Sequence, residues 1–459
     1  MEVEELIHSK KRELSGKDFT TLIATFKKVS HVRVIDKVHI TSDKLNQKNI
    51  EIVNCDFEDE AIFKTGDAIN SLILVNCCFK KRMLLFESSI KRVKFIRTTF
   101  EQYLSFKLLS TETLNIEKCL IKNIRELILN EFETIEFTFK NNDTENDIYL
   151  KPINIKKLVI EGSEKSGQIT FSQLESKNIL EEVYIFVFSN QRTDLLLRNF
   201  NTKKFQIVGE LKDALLFINN VKVGTGILDY FFNEGNLKIS TIQPLSDKSL
   251  LIIKNSSVGK AQINNCNFAN FGKIILGSSS LIEIIPINIT WCSSRNLISD
   301  NEKELKENYR QLKLVASKNE DIHNKLVFEK HEMHSLLKII KISKGKFIDK
   351  AILYTSFYSN DFGLNWLKAL SWLIGSSILW YTTIKYLINQ REYDSSLIID
   401  EIGKFLIFIN PIHQFDKIFG VDPALNFTNG GIFIDGVSRI IGAYLIFQFI
   451  SAFRKYSKK

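Results

Sequence analysis

Apolar residues along this chain recur in pairs two positions apart, and the pairs recur about every two dozen residues. Ile50/Ile52/Phe57, Leu72/Leu74/Phe79, Val93/Phe95/Phe100 and Leu114/Ile116/Ile121 stand in register, with first-column spacings of 22 (50 to 72), 21 (72 to 93) and 21 (93 to 114). Ile135/Phe137 continues the series another 21 residues on. Polar or charged residues fill most alternate positions, which is the period of a strand with one face inward. Such strands, with no hairpin turns between them, predict the stacked coils of a parallel β-solenoid: one coil cannot bury its own face and must stack on the next. Further on, Leu158/Ile160, Tyr184/Phe186, Phe205/Ile207, Leu216/Ile218, Leu251/Ile253 and Leu281/Ile282 with Ile284 keep the strand pattern at looser spacing. The polar stretches Lys140–Asp147 and Glu161–Gly167 read as loops. A short motif punctuates the coils, as Asn54-Cys55-Asp56-Phe57, Asn76-Cys77-Cys78-Phe79 and Asn265-Cys266-Asn267-Phe268. Its Asn is either a rung of a stacked ladder at a turn or a tolerated polar residue.

Helical spacing frames the solenoid. Phe19, Leu22, Ile23 and Phe26 predict an N-terminal helical cap within 1–29, with coils over 30–299. At Asp300, a plausible N-cap, the texture turns to Glu, Lys and Leu without Pro or Gly; broken at Ser317–Asp321, it predicts a helical hairpin over 300–350. His323, His331 and His334 lie in it, the last two on one helical face, without a carboxylate or Cys at a metal-binding spacing. They read as solvated, and no metal or cofactor is expected.

The remainder, 351–459, reads as a membrane domain. Residues 364–388 and 432–453 predict two transmembrane helices, with Trp366, Trp380 and Tyr381 toward the ends of the first as interfacial aromatics. Between them, Asn410 as N-cap and Pro411 at the first turn predict an amphipathic helix over 411–419, either re-entrant or interfacial, with Asn410, Pro411, His413 and Asp416 as its candidate functional positions. Ser371/Gly375 and Ser438/Gly442 are small-residue pairs that permit close helix approach. Asp435 and Arg439 are four apart in the second span and can pair, either as functional intramembrane charges or as interfacial anchors.

Charge adds an orientation. Lys338, Lys341, Lys344, Lys346 and Lys350 precede the first span, and Arg454, Lys455, Lys458 and Lys459 follow the second. The stretch 389–431 between them holds three bases and six acids. By the positive-inside rule both termini are cytoplasmic, in a cell inner membrane. The net charge of +9 is spread over interspersed Lys and Glu, so nucleic acid is an unlikely partner. Six cysteines without a CxxC pair argue against a zinc ribbon or redox motif and read as small apolar core fillers. The first nineteen residues mix acids and bases with no apolar run, which excludes a secretory signal in that stretch.

Tyr309-Arg-Gln-Leu-Lys313, Glu332-Met333, Phe357–Gly363 and Ala452–Tyr456 resemble the C-terminal half of bacterial membrane-anchored pentapeptide-repeat proteins, over roughly 300–459. The resemblance implies a mainly β fold: a right-handed parallel β-solenoid, pentapeptide-repeat-like, followed by a helical hairpin and two transmembrane helices. Strict A(D/N)LXX pentads are absent. Some relatives end in a two-helix module like that of ion channels, with a TxGYG filter; here the corresponding loop carries Asn426–Gly431 and no such filter.

The layout predicts a non-enzymatic membrane protein. In one reading the solenoid binds an unknown cytoplasmic protein or ligand, and a homo-oligomer of the two-helix module alters membrane permeability, as suits bacterial defence or stress response. In the other, the helices only tether a solenoid scaffold. A polysaccharide-cleaving β-helix would need clustered carboxylates, whereas Glu58/Asp59 and Glu181/Glu182 read as solvated coil edges.

Overall fold

The computed structural model describes residues 11–67, 69–122, 127–130, 132–144, 146–165, 167–173, 178–342, 347–387, 398–419 and 429–457. Two compact units divide the chain: residues up to Asp300 with Leu314–Asp321 form the first, and Asn301–Lys313 with Ile322–Lys459 form the second.

The first unit is a parallel β-solenoid of about twelve turns. One inward position can be followed by strand pairing from coil to coil: Ile50, Leu72, Val93, Leu114, Phe137, Leu158, Val183, Phe205, Gly226, Leu251, Ile274 and Leu297. Burial alternates along each strand, as in Ser71–Val75, where Leu72 and Leu74 are buried and Ile73 is not. Each coil therefore closes over the apolar row of its neighbour, and its backbone donors and acceptors are used by the coils above and below.

The Asn-Cys motif is a corner. Asn54, Asn76 and Asn265 have left-handed backbones (φ 55°, 53° and 51°), which Asn tolerates better than most residues. The following Cys turns inward, and its thiol donates to the carbonyl two residues back: Cys55 Sγ to Val53 O at 3.3 Å, Cys77 Sγ to Val75 O at 3.4 Å, Cys266 Sγ to Asn264 O at 3.2 Å. Two residues on, Phe57 and Phe79 stack with rings parallel at 4.5 Å, and Phe79 meets Phe100 at 5.6 Å. Burial pushes the Cys55 thiol up to about 11 and those of Cys77 and Cys119 up to about 12, so these sulfurs are neutral donors at physiological pH. The cysteines thus fill the core and also satisfy a corner carbonyl.

Three sequence expectations need correction. Leu114 pairs with Phe137, not Ile135, and Ile116 with Phe139; Ile135 is exposed. The coil is longer by two residues, which preserves alternation and hides the insertion. In the strand Ile179–Val187 it is Val183 and Ile185 that face inward, not Tyr184 and Phe186. Nearly every residue there is apolar, so alternation does not distinguish the faces. The polar stretches after Lys140 and Glu161 also belong partly to coils. Asn141 is left-handed like the other corner asparagines, and buried Asn142 accepts from Cys119 N and donates to Ile116 O, both at 2.8 Å. Ser163 is likewise buried, bonded to Thr193.

Helix α1 (Gly16–Thr25) caps the N-terminal end. Ser15 Oγ accepts from Asp18 N, and the buried Phe19 presents its edge to Phe57 at 5.1 Å; Phe26 lies at the C-cap and is exposed. Strand Arg12–Leu14 already pairs with Val32–Val34, so coil structure starts before the helix. At the other end Val315 and Ala316 are buried and Asn319 Nδ2 donates to Ile284 O at 3.4 Å.

The second unit is helical. Helix α2 (Glu302–Lys318) begins after Asn301, whose Oδ1 accepts from Lys303 N at 2.9 Å; Asn301, not Asp300, is the cap. Helix α3 (Ile322–Ile342) runs antiparallel to it, as the pairs Lys313–Glu332 (2.5 Å) and Lys338–Glu302 (2.7 Å) require. Helices α4 (Phe347–Asn360), α5 (Trp366–Leu387), α6 (Ile398–Ile409), α7 (Phe415–Phe419) and α8 (Asn429–Ser457) follow. Trp366 touches Phe449 and Phe453, placing the start of α5 beside the end of α8.

Among the described helices, one is long and apolar enough to cross a membrane: Phe433–Arg454 within α8, 22 residues with mean hydropathy 1.5 and only 17% buried. Low burial separates it from the core helix of a soluble fold. Helix α5 also has 22 residues, but three Trp, two Tyr, two Lys and its Ser and Thr residues lower its hydropathy. The helix expected over 411–419 is a turn at Asn410–Ile412 followed by the five-residue α7, and Gly420 lies outside the described residues. Asn410 Oδ1 accepts from Ile412 N at 3.0 Å, closing a local turn in place of a helix cap. The main helix of this stretch is α6, within what the sequence presents as the loop between the two expected spans.

Candidate functional site

A group of ionisable and polar side chains in the second unit converges where α6 ends and α8 begins. The turn after Asn410 carries His413 inward, and its ring packs 5.0 Å from that of Phe408. His413 Nδ1 lies 2.8 Å from Asn410 O, an acceptor, so Nδ1 carries a hydrogen. Nε2 lies 3.1 Å from Asp435 Oδ1, and Asp435 Oδ2 accepts from Arg439 Nη2 at 2.8 Å. Ser438 Oγ donates to the Asp435 backbone carbonyl at 2.8 Å. The His413 and Asp435 side chains are 1% and 10% exposed. The Asp435 carboxylate thus faces His413 with one oxygen and the fixed positive charge of Arg439 with the other. This is a His–carboxylate–guanidinium relay at one end of a long apolar helix, with His413 and Asp435 buried and Arg439 half-buried.

An aromatic wall stands beside it. Tyr381, Ile384, Phe408, Phe415, Ile418 and Phe419 form one buried cluster, with Tyr381 ring contacts to Phe408 at 5.5 Å and Phe419 at 5.6 Å. Helices α5 and α6 are joined again by Tyr381 Oη donating to Glu401 Oε2 at 3.1 Å and by Lys385–Glu401 at 2.6 Å.

The sequence singled out His413 and the pair Asp435/Arg439 for separate reasons, and the structure brings them together. Asn410 contributes its carbonyl, whereas Pro411 lies in the turn without a role in the relay and the Asp416 side chain lies outside the described residues. The small-residue pairs sit differently. Ser371 and Gly375 are on the exposed face of α5, and Ser371 Oγ bonds within its own helix to Leu367 O at 2.9 Å. A Cβ on Gly375 or Gly442 would meet nothing within 4 Å among the described residues, so neither glycine makes room for a described neighbour. A histidine in an apolar loop and an aspartate in an apolar helix both need partners; that shared need was the overlooked clue to their pairing.

His331 and His334 are not solvated as expected. His331 stacks on Tyr309 at 5.1 Å, and His334 meets Phe357 and Phe362 edge-on at 5.1 and 5.3 Å while its Nε2 stands 3.5 Å from Asp361 Oδ1. Burial pushes both imidazoles below the usual histidine range. Their aromatic neighbours, Tyr309, Phe357 and Phe362, are distant in sequence or lie beyond the hairpin, so spacing alone did not reveal them.

On the solenoid, Glu58 bridges Arg33 (2.9 Å) and Lys80 (2.8 Å), Asp59 pairs with Lys81 (3.0 Å), and Glu181 with Lys203 (3.8 Å). These acids are rungs between coils. No protein-family model, curated protein or solved structure matches this chain.

Proposed function

We propose that this chain is a non-enzymatic integral membrane protein whose solenoid binds a cytoplasmic partner and whose α5–α8 module, assembled from several copies, alters membrane permeability. The observation that carries this reading is the His413–Asp435–Arg439 relay, with His413 and Asp435 buried and both Asp435 and Arg439 within Phe433–Arg454. A tether has no use for Asp435 and Arg439 inside its apolar helix with His413 packed against them, because such groups are costly there and mark transport or gating sites by default. In this reading α5 is a second span, both termini are cytoplasmic by the lysine bias, and the exposed Ser371/Gly375 face meets a neighbouring copy. The resemblance of 300–459 to membrane-anchored pentapeptide-repeat proteins supports the same layout, including a defence or stress role. The second reading, a scaffold with helices as anchor, is favoured by the absence of a filter-like sequence in 426–431.

The test is ion flux from liposomes holding the full-length protein. Wild-type protein should release a trapped ion, Asp435→Asn should lower the rate about tenfold or more by unpairing the relay, and Gly375→Leu should abolish flux with membrane insertion intact. Wild-type vesicles as tight as empty ones, with and without candidate partners, would establish the scaffold instead.

A further inference from the structure

Helix α4 has one face held by protein and one that the described residues leave uncovered. On the held side Asn360 is buried, its Nδ2 donates to Gln448 Oε1 of α8 at 2.5 Å, and Lys368 Nζ of α5 donates to Phe357 O at 2.8 Å. Lys330 of α3 pairs with Asp361 immediately after it. On the open side Phe347, Ile348, Ile352 and Tyr358 are 82%, 72%, 61% and 55% exposed. Four large apolar side chains on one short helix are out of place against water.

Position names the occupant. Gln448 lies six residues inside the Arg454 end of the apolar span, or about 9 Å along the helix axis at 1.5 Å per residue. The contact with Asn360 therefore holds the C-terminal end of α4 near the headgroup–acyl boundary, and a short elbow joins it to α5. Charge agrees: over 338–350 the chain carries Lys338, Lys341, Lys344, Lys346 and Lys350 against one acid, Asp349, with Lys368 and Arg454 at the adjoining helix ends. An apolar helix face bordered by lysines at the edge of a span is the composition of a helix lying in the surface of an anionic leaflet.

We propose that α4 is an interfacial helix that buries Phe347, Ile348, Ile352 and Tyr358 in the leaflet at the Arg454 end, where the lysine-rich sequence over 338–350 selects anionic phospholipid. This rests on the membrane reading of α8. It also makes the elbow a lipid-responsive joint, because the same helix bonds to both α5 and α8.

The experiment uses full-length protein with Cys78→Ser and Cys292→Ser, reconstituted in nanodiscs and labelled with an environment-sensitive fluorophore at Ile352→Cys, Phe447→Cys or His323→Cys. In phosphatidylcholine–phosphatidylglycerol discs, bromolipid should quench the labels at 352 and 447 about twofold or more and leave that at 323 to aqueous iodide. Without phosphatidylglycerol, quenching at 352 should fall about twofold or more while that at 447 is unchanged. A label at 352 open to iodide, with 447 still quenched by bromolipid, overturns the interfacial helix and leaves the span intact. Protection at 352 from both quenchers means that protein, such as a second copy, covers the face, and also overturns it. Equal quenching with and without the anionic lipid overturns the charge selection. Loss of bromolipid quenching at both 352 and 447 overturns the membrane reading itself.

Discussion

The side-chain amide of Asn76 donates to the side-chain carbonyl of Asn54 at 2.6 Å, one coil away, and both residues have left-handed backbones. Asn54 in turn meets His31 Nε2 at 3.1 Å, and the pattern returns as Asn220 to Asn199 at 2.9 Å and Asn288 to Asn265 at 2.7 Å. The asparagine of the corner motif thus does two things: it tolerates a positive φ and it ties neighbouring coils together.

Separating those two roles gives a first prediction. Asn76→Gly keeps the backbone easy and loses the rung, while Asn76→Ala also adds the left-handed penalty of about 1–2 kcal/mol. Alanine should be the less stable variant in urea unfolding followed by β-sheet circular dichroism. Equal midpoints for the two would show that the backbone conformation carries no cost.

The coil register supplies a second. Leu74, Phe95 and Ile116 are fully buried on successive coils, so aspartate at any of them leaves an unpaired charge in the stack and should cost several kcal/mol, of order 3–5. Aspartate at Ile73 or Lys94, which point outward on the same strands, should cost under about 1 kcal/mol. Thermal midpoints of the five variants decide it, and similar losses in both sets would contradict the observed faces.

Gly226 interrupts a column of large residues between Phe205 and Leu251, and a cavity of about 50 Å³ lined wholly by apolar side chains opens there. A Cβ would lie 3.2 Å from Leu251 Cδ1, the end of a flexible side chain. Gly226→Ala should therefore stabilise the solenoid by roughly 0.5–1 kcal/mol, by removing backbone freedom from the unfolded chain and filling part of the void. A lower unfolding midpoint would mean that Leu251 cannot give way.

The histidines at the elbow predict a dependence on pH. Burial holds His331 and His334 below 6.5, each ring being further opposed by Lys330 while Asp361 acts the other way. As the pH falls past 6.5 the unfolded chain takes up protons first. Stability that is present above that value is lost as the pH falls through the folded values. The melting temperature of the helical unit should drop between about pH 7.5 and about pH 5.5, and His331→Gln with His334→Gln should flatten the drop. A profile unchanged by the double variant would assign the dependence to other groups.

The sequence alone determined the solenoid, because stacking a one-sided strand leaves a period-two burial pattern and a coil-length repeat that can be counted from Ile50 to Ile121. It also marked the corners, since a left-handed turn followed by a buried small polar residue restricts the side chains to a few types. The long apolar stretch of α8 was equally legible, as length and composition are local properties. Tertiary structure decided what the spacing could not. Insertion of two residues keeps every face in phase, so the replacement of Ile135 by Phe137 in the column shows only when Leu114 is seen opposite it. An all-apolar strand such as Val183–Val187 has no alternation to read, and only the neighbouring coils choose its inner face. The relay joins His413 to Asp435 across 22 residues of sequence, and no periodicity links a turn to a helix. That pairing exists because each group, carried into an apolar region by its own segment, lowers its free energy most by meeting the other.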